Sequence, residues 1–214
     1  MIRVMLVDDH ELVRTGFRLI LDNMPDVLVV GEAESGESAL KQIPELKPDL
    51  VLMDVNMPGI GGIEATRRIR RNYPGIQVIA ITVHSDAPFP SKLHQAGALG
   101  YLTKGCPASE MLDAIKTVTN GKPFLSAEVA QKLSLARLTG VDSELPFESL
   151  SRREMQVMMM IVQGSKNQDI SDTLCVSPKT VSTYRHRLFE KLGIETDAEL
   201  TLLAIRYGVA EYEA

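Results

Sequence analysis

Short apolar runs alternate with helix-like segments over the first 120 residues of the chain. The runs have the length of strands, and between them apolar residues recur at helical spacing. This alternation predicts an α/β fold in which helices cover both faces of a parallel sheet. The predicted strands are 3–7, 27–32, 49–53, 76–82 and 99–102, and the predicted helices are 10–23, 36–44, 62–72, 89–96 and 107–120.

Two strands have predicted positions in that sheet. The run Leu50-Val51-Leu52-Met53 is apolar throughout, so strand 49–53 should be central, because a central parallel strand is buried on both faces. Strand 27–32 is a candidate for a place near an edge. Right-handed crossovers then leave few possible topologies.

A different pattern begins after Gly121. Segment 125–149 starts as an amphipathic stretch and ends in Gly, Asp, Ser, Glu and Pro residues that are typical of a linker. From Leu150 onward only helix signals appear. Ser151 and Glu154 form a capping-box pattern for a helix that should end near Gln163.

A short helix, a tight turn and a well-capped helix follow. The short helix is predicted at about 167–174, and Cys175-Val176 should form the turn. Ser177-Pro178 then suit the start of a helix ending at Gly193, because serine caps free amides and proline fits the first helical position. A last helix is predicted at 197–206. This is the layout of a helix-turn-helix.

Composition narrows the classes of protein that fit. The 214-residue chain is 44% hydrophobic with a net charge of −5, so it is not basic as a whole, although a local basic patch remains possible. No apolar run approaches the roughly 20 residues of a membrane helix, and the first residues do not resemble a signal peptide. Cys106 and Cys175 are too few and too distant for a disulfide framework or a metal site, which favours a cytoplasmic protein with reduced cysteines.

Polar residues stand at the ends of four of the predicted strands or follow them. Asp8 and Asp9 follow the first strand, Asp54 follows the third, Thr82 ends the fourth and Lys104 follows the fifth. The carboxyl ends of parallel strands meet at one edge, so these side chains should converge there. Three carboxylates in one pocket repel one another, and a hard divalent cation with open coordination positions, Mg²⁺, would relieve that repulsion. No His or Cys cluster indicates a softer metal.

The chemistry that fits such a site is phosphoryl transfer. A carboxylate beside the metal, Asp54, can attack phosphorus and form an aspartyl phosphate, and Lys104 and Thr82 can hold the phosphoryl oxygens. Taken singly, an aspartate after a strand is commonly a turn residue, a lysine lies at the surface and a threonine is an ordinary strand residue. The joint arrangement is hard to obtain by accident.

The motifs at these positions resemble the receiver domains of two-component response regulators. The resemblance covers residues 1 to about 122, and its motifs are specific when they occur together. The matching stretches are Val7-Asp8-Asp9-His10, Met53-Asp54-Val55-Asn56-Met57-Pro58-Gly59, Ile81-Thr82 and Gly100-Tyr101-Leu102-Thr103-Lys104. The chain departs from the commonest receivers after Lys104, where Gly105-Cys106-Pro107 stands in place of an immediate proline.

The resemblance implies a flavodoxin-like (βα)5 fold with strand order 2-1-3-4-5. It also implies that a sensor histidine kinase phosphorylates Asp54. Thr82 would rotate toward the acyl phosphate and Tyr101 would move inward behind it, which is compatible with Tyr101 being a half-buried strand aromatic. The implied ligands of Mg²⁺ are Asp8, Asp9, Asp54 and the main-chain carbonyl of Asn56.

The helix predicted from Pro178 has two distinct faces at 100° per residue. Val181, Leu188 and Leu192 form its apolar stripe. The opposite face is polar, with Ser182 at its border, which suits the major groove of DNA. It contains Lys179, Thr183, His186 and Arg187.

Positive charge is concentrated in this helix. Segment 150–214 has eight Lys and Arg against nine Asp and Glu. The helix itself contains four positive residues against Glu190 alone, a formal charge of +3, which is the expected footprint of phosphate contact. A solvated polar face is the ordinary alternative for a basic helix. The preceding short helix and turn favour DNA binding.

This part of the chain resembles the LuxR-type helix-turn-helix. Together the two resemblances indicate the NarL/FixJ class of response regulators, and within it the GacA/UvrY/SirA group. The matching stretches are Leu150-Ser151-Arg152-Arg153-Glu154, Asn167-Gln168-Asp169-Ile170, Val176-Ser177-Pro178-Lys179-Thr180-Val181 and Lys191-Leu192.

Carried over by position, the resemblance implies that Ser182, Thr183 and His186 face base edges. Arg185 lies near the apolar stripe and either contacts a phosphate or pairs with an acid of its own domain. The last helix resembles the element through which this class pairs on DNA, with packing into a four-helix core as the alternative. Contacts with the DNA backbone are implied for Lys179, Thr180, Tyr184, Arg187 and Lys191.

The sequence therefore predicts a receiver at 1–122, a helix and linker at 123–148, and a four-helix DNA-binding domain at 149–209. The expected function is transcription regulation switched by phosphorylation of Asp54, without enzymatic turnover. Its expected partners are a histidine kinase, promoter DNA and a second copy of the chain on DNA, with no membrane.

One alternative function is that of a Mg²⁺-dependent phosphoaspartate phosphatase, although Asn56 stands where such enzymes need a second aspartate as general acid. The other is a regulator that binds DNA regardless of phosphorylation.

Overall fold

The computed structural model describes residues 1–82, 90–127, 129–131, 146–207 and 209. The strands of its N-terminal part are β1 Ile2–Val7, β2 Val27–Ala33, β3 Leu50–Asp54, β4 Gln77–Thr82, β5 Gly100–Thr103 and β6 Phe124–Leu125. They form one parallel sheet in the order β2-β1-β3-β4-β5-β6. The predicted 2-1-3-4-5 order is confirmed, with β3 central and β2 at an edge.

The sixth strand was not predicted. Phe124 and Leu125 pair in parallel with Gly100 and Tyr101. A two-residue strand is too short to show a period, so only its position beside β5 reveals it.

Helices pack on both faces of the sheet. They are α1 Glu11–Asp22, α2 Gly36–Leu46, α3 Gly61–Asn72, α4 Pro90–Ala96 and α5 Ala108–Thr119. Side chains along a strand alternate between faces, so Leu50 and Leu52 pack with α1 and α5, whereas Val51 and Met53 pack with α2 and α3. The predicted helix 89–96 corresponds to α4, and residue 89 lies outside the described residues.

Four helices and a preceding 3₁₀ turn, Pro146–Ser149, form the C-terminal part. The Ser151–Glu154 capping box, the Ser177 cap and left-handed Gly193 occur as predicted, and they set the ends of two of the helices. The helices are α6 Arg152–Val162, α7 Asn167–Leu174, α8 Pro178–Leu192 and α9 Asp197–Arg206. The residues at the centre of their core are Phe147, Val157, Met158, Ile170, Val181, Leu188 and Leu200.

The predicted linker falls mostly on residues 132–145, which lie outside the described residues. Before it, residues 127 and 129–131 are helical and Val129 is buried. Within the described ranges, every helix is too short or too polar to cross a membrane.

Candidate phosphoacceptor site and nucleic-acid interface

The carboxylates predicted to converge do meet at the carboxyl edge of the sheet. Asp54 ends β3, and Asp8 and Asp9 directly follow β1. Ligand atoms of these three residues and of His10 lie within 4.8 Å of one another. Asp8 and Asp54 are only 3% and 1% exposed, so water screens their mutual repulsion weakly.

Lys104 connects the two buried acids. Its Nζ lies 2.7 Å from Asp8 Oδ2 and 2.9 Å from Asp54 Oδ2. The loop after β5 is anchored by the Lys104 amide, which donates to the Thr82 carbonyl at 2.6 Å. Burial lowers the pKa of the ammonium, but the neighbouring Asp54 and Asp8 outweigh it and raise that pKa above its usual value.

Asp54 has an unusual proton affinity for an aspartate. Burial raises its pKa to about 7, and the charge of Asp8 adds to the rise. Lys104 and the Asn56 amide, which donates to Asp54 Oδ1 at 3.1 Å, act in the opposite direction. The single ammonium of Lys104 does not offset the cost of burying the Asp8 and Asp54 carboxylates. The oxygen atoms of this cluster therefore suit an additional hard cation such as Mg²⁺.

A hydroxyl and an aromatic ring complete the predicted set. Thr82 ends β4 and is fully buried, and its Oγ1 has no hydrogen-bond partner within the described part of the chain. A buried hydroxyl without a partner can donate a hydrogen bond to an oxygen atom that enters the site. Tyr101, on β5, pairs in register with Ala80 and is buried, at 3% exposure, where the sequence was compatible with a half-buried strand aromatic.

The loop after Asp54 is packed closely against that residue. The first turn of α3 passes so near that a Cβ on Gly62 would lie 1.9 Å from the Asp54 carbonyl oxygen. Only glycine fits there. Glu37 on α2 fixes the same loop by accepting from the Ile60 amide at 2.9 Å.

Sequence reasoning missed Arg14. Its Nη1 donates to the Asp8 carbonyl at 2.7 Å, and its Nε lies 3.6 Å from Glu32 of β2. A guanidinium one turn into the helix after the acidic pair can reach back to that pair. This spacing is the signal that could have identified it.

The residues predicted to face DNA bases share one exposed face of α8. Ser182, Thr183 and His186 are all exposed. In this structure the Ser182 and Thr183 hydroxyls donate within the helix, to the carbonyls of Pro178 at 3.1 Å and Lys179 at 3.0 Å.

The residues predicted to contact the DNA backbone differ in how exposed they are and in what they contact. Lys179 and Arg187 are exposed on α8. Thr180 lies at the N-terminus of α8, where its amide donates to the Ser177 hydroxyl at 3.1 Å. Tyr184 is half-buried against the helical core.

Arg185 and Lys191 instead form contacts within their own domain. Arg185 pairs with Asp197 and stacks over the Phe189 ring, which is the intradomain alternative for this residue. Lys191 Nζ lies 2.6 Å from Glu154 Oε2 and donates to the Ser149 carbonyl at 3.1 Å. Both cations have acidic partners in this conformation.

Comparisons with known families agree with both halves of this description. Residues 4–116 match the response regulator receiver domain, and residues 148–204 match the bacterial regulatory proteins of the luxR family. The chain is 53% identical over 214 residues to response regulator GacA of Pseudomonas viridiflava, covering all of both chains. It is 49% identical over 213 residues to response regulator UvrY of Escherichia coli K12, covering 100% of this chain and 98% of the relative.

Solved structures show the same architecture. A LuxR-family response regulator from Aurantimonas sp. SI85-9A1 is 39% identical, with a TM-score of 0.61, covering 64% of this chain and 97% of that one. The response regulator RcsB in an RcsB–DNA complex is 26% identical, with a TM-score of 0.59, covering 95% of this chain and 98% of that one. The predicted likeness to the GacA and UvrY group is confirmed. The chain belongs to the response regulators that join a receiver domain to a LuxR-type DNA-binding domain.

Proposed function

We propose that Asp54 accepts the phosphoryl group by which a sensor histidine kinase switches this transcription regulator. The Asp54 carboxylate attacks the phosphorus of the kinase phosphohistidine. An O–P bond forms as the N–P bond breaks, and the imidazole leaves. The observation that carries this proposal is a carboxylate 1% exposed with Lys104 Nζ at 2.9 Å. At the end of the adjacent strand β4 lies the buried hydroxyl of Thr82, which has no hydrogen-bond partner among the described residues.

Asp8, Asp9, Asp54 and the main-chain carbonyl of Asn56 are the proposed holders of Mg²⁺. The fit rests on clustered hard oxygen donors and on the pKa of about 7 that burial gives Asp54. A bound Mg²⁺ supplies positive charge that offsets the carboxylates and the phosphoryl oxygens. Lys104 then holds one of those oxygens by its ammonium.

Thr82 and Tyr101 are the proposed switch residues. A phosphoryl oxygen on Asp54 gives the Thr82 hydroxyl an acceptor. Rotation of Thr82 vacates space on the β4–β5 side of the sheet, and Tyr101 moves into it. The phosphoryl group thus shifts an existing equilibrium by favouring one arrangement of this pair.

DNA recognition is assigned to α8. Ser182, Thr183 and His186 are the proposed base readers, because they lie on its exposed polar face. Lys179, Thr180, Tyr184, Arg185, Arg187 and Lys191 are the proposed backbone contacts. Arg185 and Lys191 must first exchange their partners, Asp197 and Glu154, for phosphates.

Promoter DNA and a second copy of the chain are the proposed partners. RcsB has been solved bound to DNA, including as two dimers on two DNAs. Each DNA-binding domain is small, so two copies on two half-sites provide useful affinity. The proposed division is 1–122, 123–148 and 149–209, and the protein acts on promoters in the cytoplasm.

Incubation with acetyl phosphate and Mg²⁺ tests the proposal. The expected product is a single covalent phosphoryl adduct that intact mass spectrometry detects in the wild type and not in Asp54→Asn. A phosphatase would instead release phosphate continuously, with many turnovers per chain. Absence of an adduct, or an equal adduct in Asp54→Asn, contradicts the assignment of Asp54.

A further inference from the structure

His10 lies between the two aspartates that follow β1 and the first residue of α1. It occupies the N-cap position of that helix, with an extended backbone (φ −89°, ψ 110°), yet its side chain forms no capping hydrogen bond. N-cap residues are usually Ser, Thr, Asp or Asn, because their oxygens accept from the free amides of the first turn. The imidazole of His10 therefore does not serve to cap the helix.

The imidazole lies against the acidic cluster instead. Its Nδ1 is 3.1 Å from Asp9 Oδ1 and 3.3 Å from Asp8 Oδ1. Ligand atoms of these three residues and of Asp54 lie within 4.8 Å of one another. The main chain fixes this approach, because the His10 amide donates to Asp8 Oδ1 at 2.8 Å and the His10 carbonyl accepts from the Arg14 amide at 3.1 Å.

The approach of His10 to Asp9 is not a hydrogen bond. Asp9 Oδ1 is shielded from solvent and has no hydrogen-bond partner within the described part of the chain, although Nδ1 is only 3.1 Å away. The two atoms are therefore close to each other without a hydrogen aligned between them. Adjacent ligands of an octahedral cation with bonds of about 2.1 Å lie about 3.0 Å apart. The contacts of Nδ1 with Asp9 and Asp8 have nearly this spacing.

The ammonium of Lys104 contacts a different set of oxygens. Its Nζ lies 2.7 Å from Asp8 Oδ2 and 2.9 Å from Asp54 Oδ2. Asp8 Oδ1 and Asp9 Oδ1 are the oxygens that lie near the imidazole. A cation held by these two oxygens would therefore have a nitrogen ligand, His10 Nδ1, as well as carboxylate ligands.

A nitrogen ligand changes which cation a site prefers. Mg²⁺ is a hard ion that retains several waters and is bound mainly by oxygen. First-row transition ions bind imidazole nitrogen more readily, and their affinity for such sites increases from Mn²⁺ toward Cu²⁺. Among them, Mn²⁺ shares with Mg²⁺ a preference for octahedral carboxylate and water ligands. Carboxylates with one imidazole therefore suit Mn²⁺.

We propose that His10 is a further ligand of the divalent cation at the phosphoacceptor site, and that it shifts the preference of this site from Mg²⁺ toward Mn²⁺. This rests on the proposed metal site formed by Asp8, Asp9 and Asp54. The His10 side chain is half-exposed, so an ion can reach Nδ1 from solvent. The supply of Mn²⁺ thereby becomes a second condition, besides the kinase, on phosphorylation of Asp54.

His10→Ala removes the proposed nitrogen ligand and leaves the carboxylates in place. His10→Asn is the second variant, because asparagine is a good N-cap and offers an amide oxygen in place of the ring nitrogen. The matched control is His94→Ala, which removes an imidazole from an exposed position of α4. A change of charge beside the carboxylates affects Mg²⁺ and Mn²⁺ alike, since both ions carry two charges. The ratio of the two affinities therefore isolates the nitrogen ligand.

Two measurements on the full-length protein test the proposal. Electron paramagnetic resonance of free Mn²⁺ gives the Mn²⁺ affinity, and displacement of bound Mn²⁺ by Mg²⁺ gives the Mg²⁺ affinity. Electron spin echo modulation detects a nitrogen nucleus bonded to Mn²⁺. We expect a nitrogen signal in the wild type and in His94→Ala, and none in the two His10 variants. The ratio of Mn²⁺ affinity to Mg²⁺ affinity should fall about ten-fold in both His10 variants.

A wild type without the nitrogen signal, or an unchanged ratio in both His10 variants, would overturn the role of His10. A wild type that binds neither ion would contradict the proposed metal site, and His10 with it. The adduct that acetyl phosphate and Mg²⁺ form at Asp54 is measured separately. If that adduct forms while the nitrogen signal is missing, the phosphoacceptor proposal holds and only the assignment of His10 fails.

Discussion

The pKa of Asp54 makes the stability of the metal-free protein depend on pH in an unusual direction. Burial raises that pKa from 3.8 to about 7. A carboxyl group with a raised folded-state pKa contributes stability that is fully present below about pH 4 and is lost as the pH rises through about 7. The shift of about three pH units corresponds to about 4 kcal/mol, because each unit is worth about 1.36 kcal/mol.

The perturbation that isolates this effect is Asp54→Asn, which has no titrating proton at that position. We expect the free energy of unfolding of Asp54→Asn to exceed that of the wild type by about 3 kcal/mol more at pH 8 than at pH 5, in EDTA. Urea unfolding followed by circular dichroism across this range measures the difference. Asp113→Asn, at an exposed position of α5, is the control and should follow the wild type.

Addition of Mg²⁺ provides an internal check. The cation binds the deprotonated carboxylate, so it should stabilise the wild type strongly at pH 8 and weakly at pH 5. Parallel stability curves for wild type and Asp54→Asn between pH 5 and 8 would refute the reasoning, because they would show that Asp54 titrates alike in the folded and unfolded chains.

Three further predictions concern single side chains. Lys104→Gln removes the cation that holds the two buried acids, and should reduce the rate of phosphoryl uptake from acetyl phosphate by about ten-fold or more, measured by mass spectrometry. Gly62→Ala places a Cβ against the phosphoacceptor carbonyl and should lower the free energy of unfolding by about 2 kcal/mol or more in urea titration, whereas Gly16→Ala, in open space on α1, should not lower it. Arg187→Ala should weaken binding to all DNA and reduce, by about one, the slope of the logarithm of the DNA affinity against the logarithm of the salt concentration. Thr183→Ala should instead change the preference among DNA sequences. Equal losses of affinity for specific and random DNA in Thr183→Ala would contradict base reading by this residue.

Much of the receiver could be predicted because its signals are local. The apolar run ending at Asp54 identifies a strand buried on both faces, and the positions of Asp8, Thr82 and Lys104 after other strands follow from the same alternation. Parallel strands bring their carboxyl ends to the same edge of the sheet regardless of the conformation of the loops that connect them. The convergence of these residues therefore needed only strand order, which the crossover rule restricts strongly.

The contacts that sequence reasoning missed depend on long-range geometry. Glu64 resembles an exposed helix residue in the sequence, yet it is 1% exposed and pairs with Arg152, 88 residues later in the chain, as well as with Arg67 and Arg68 of its own helix. Lys191 falls on a basic helix, yet Glu154, 37 residues earlier in the chain, comes within 2.6 Å of it. A helical period places a residue on a face, but it does not identify what packs against that face.

The most direct test of the central claim is a footprint of the full-length protein on genomic DNA before and after treatment with acetyl phosphate and Mg²⁺. The wild type should protect promoter sites after treatment at protein concentrations that leave them open beforehand, and treated Asp54→Asn should behave like the untreated wild type. Equal protection by treated Asp54→Asn and treated wild type would contradict the account, because DNA binding would then be independent of phosphorylation at Asp54.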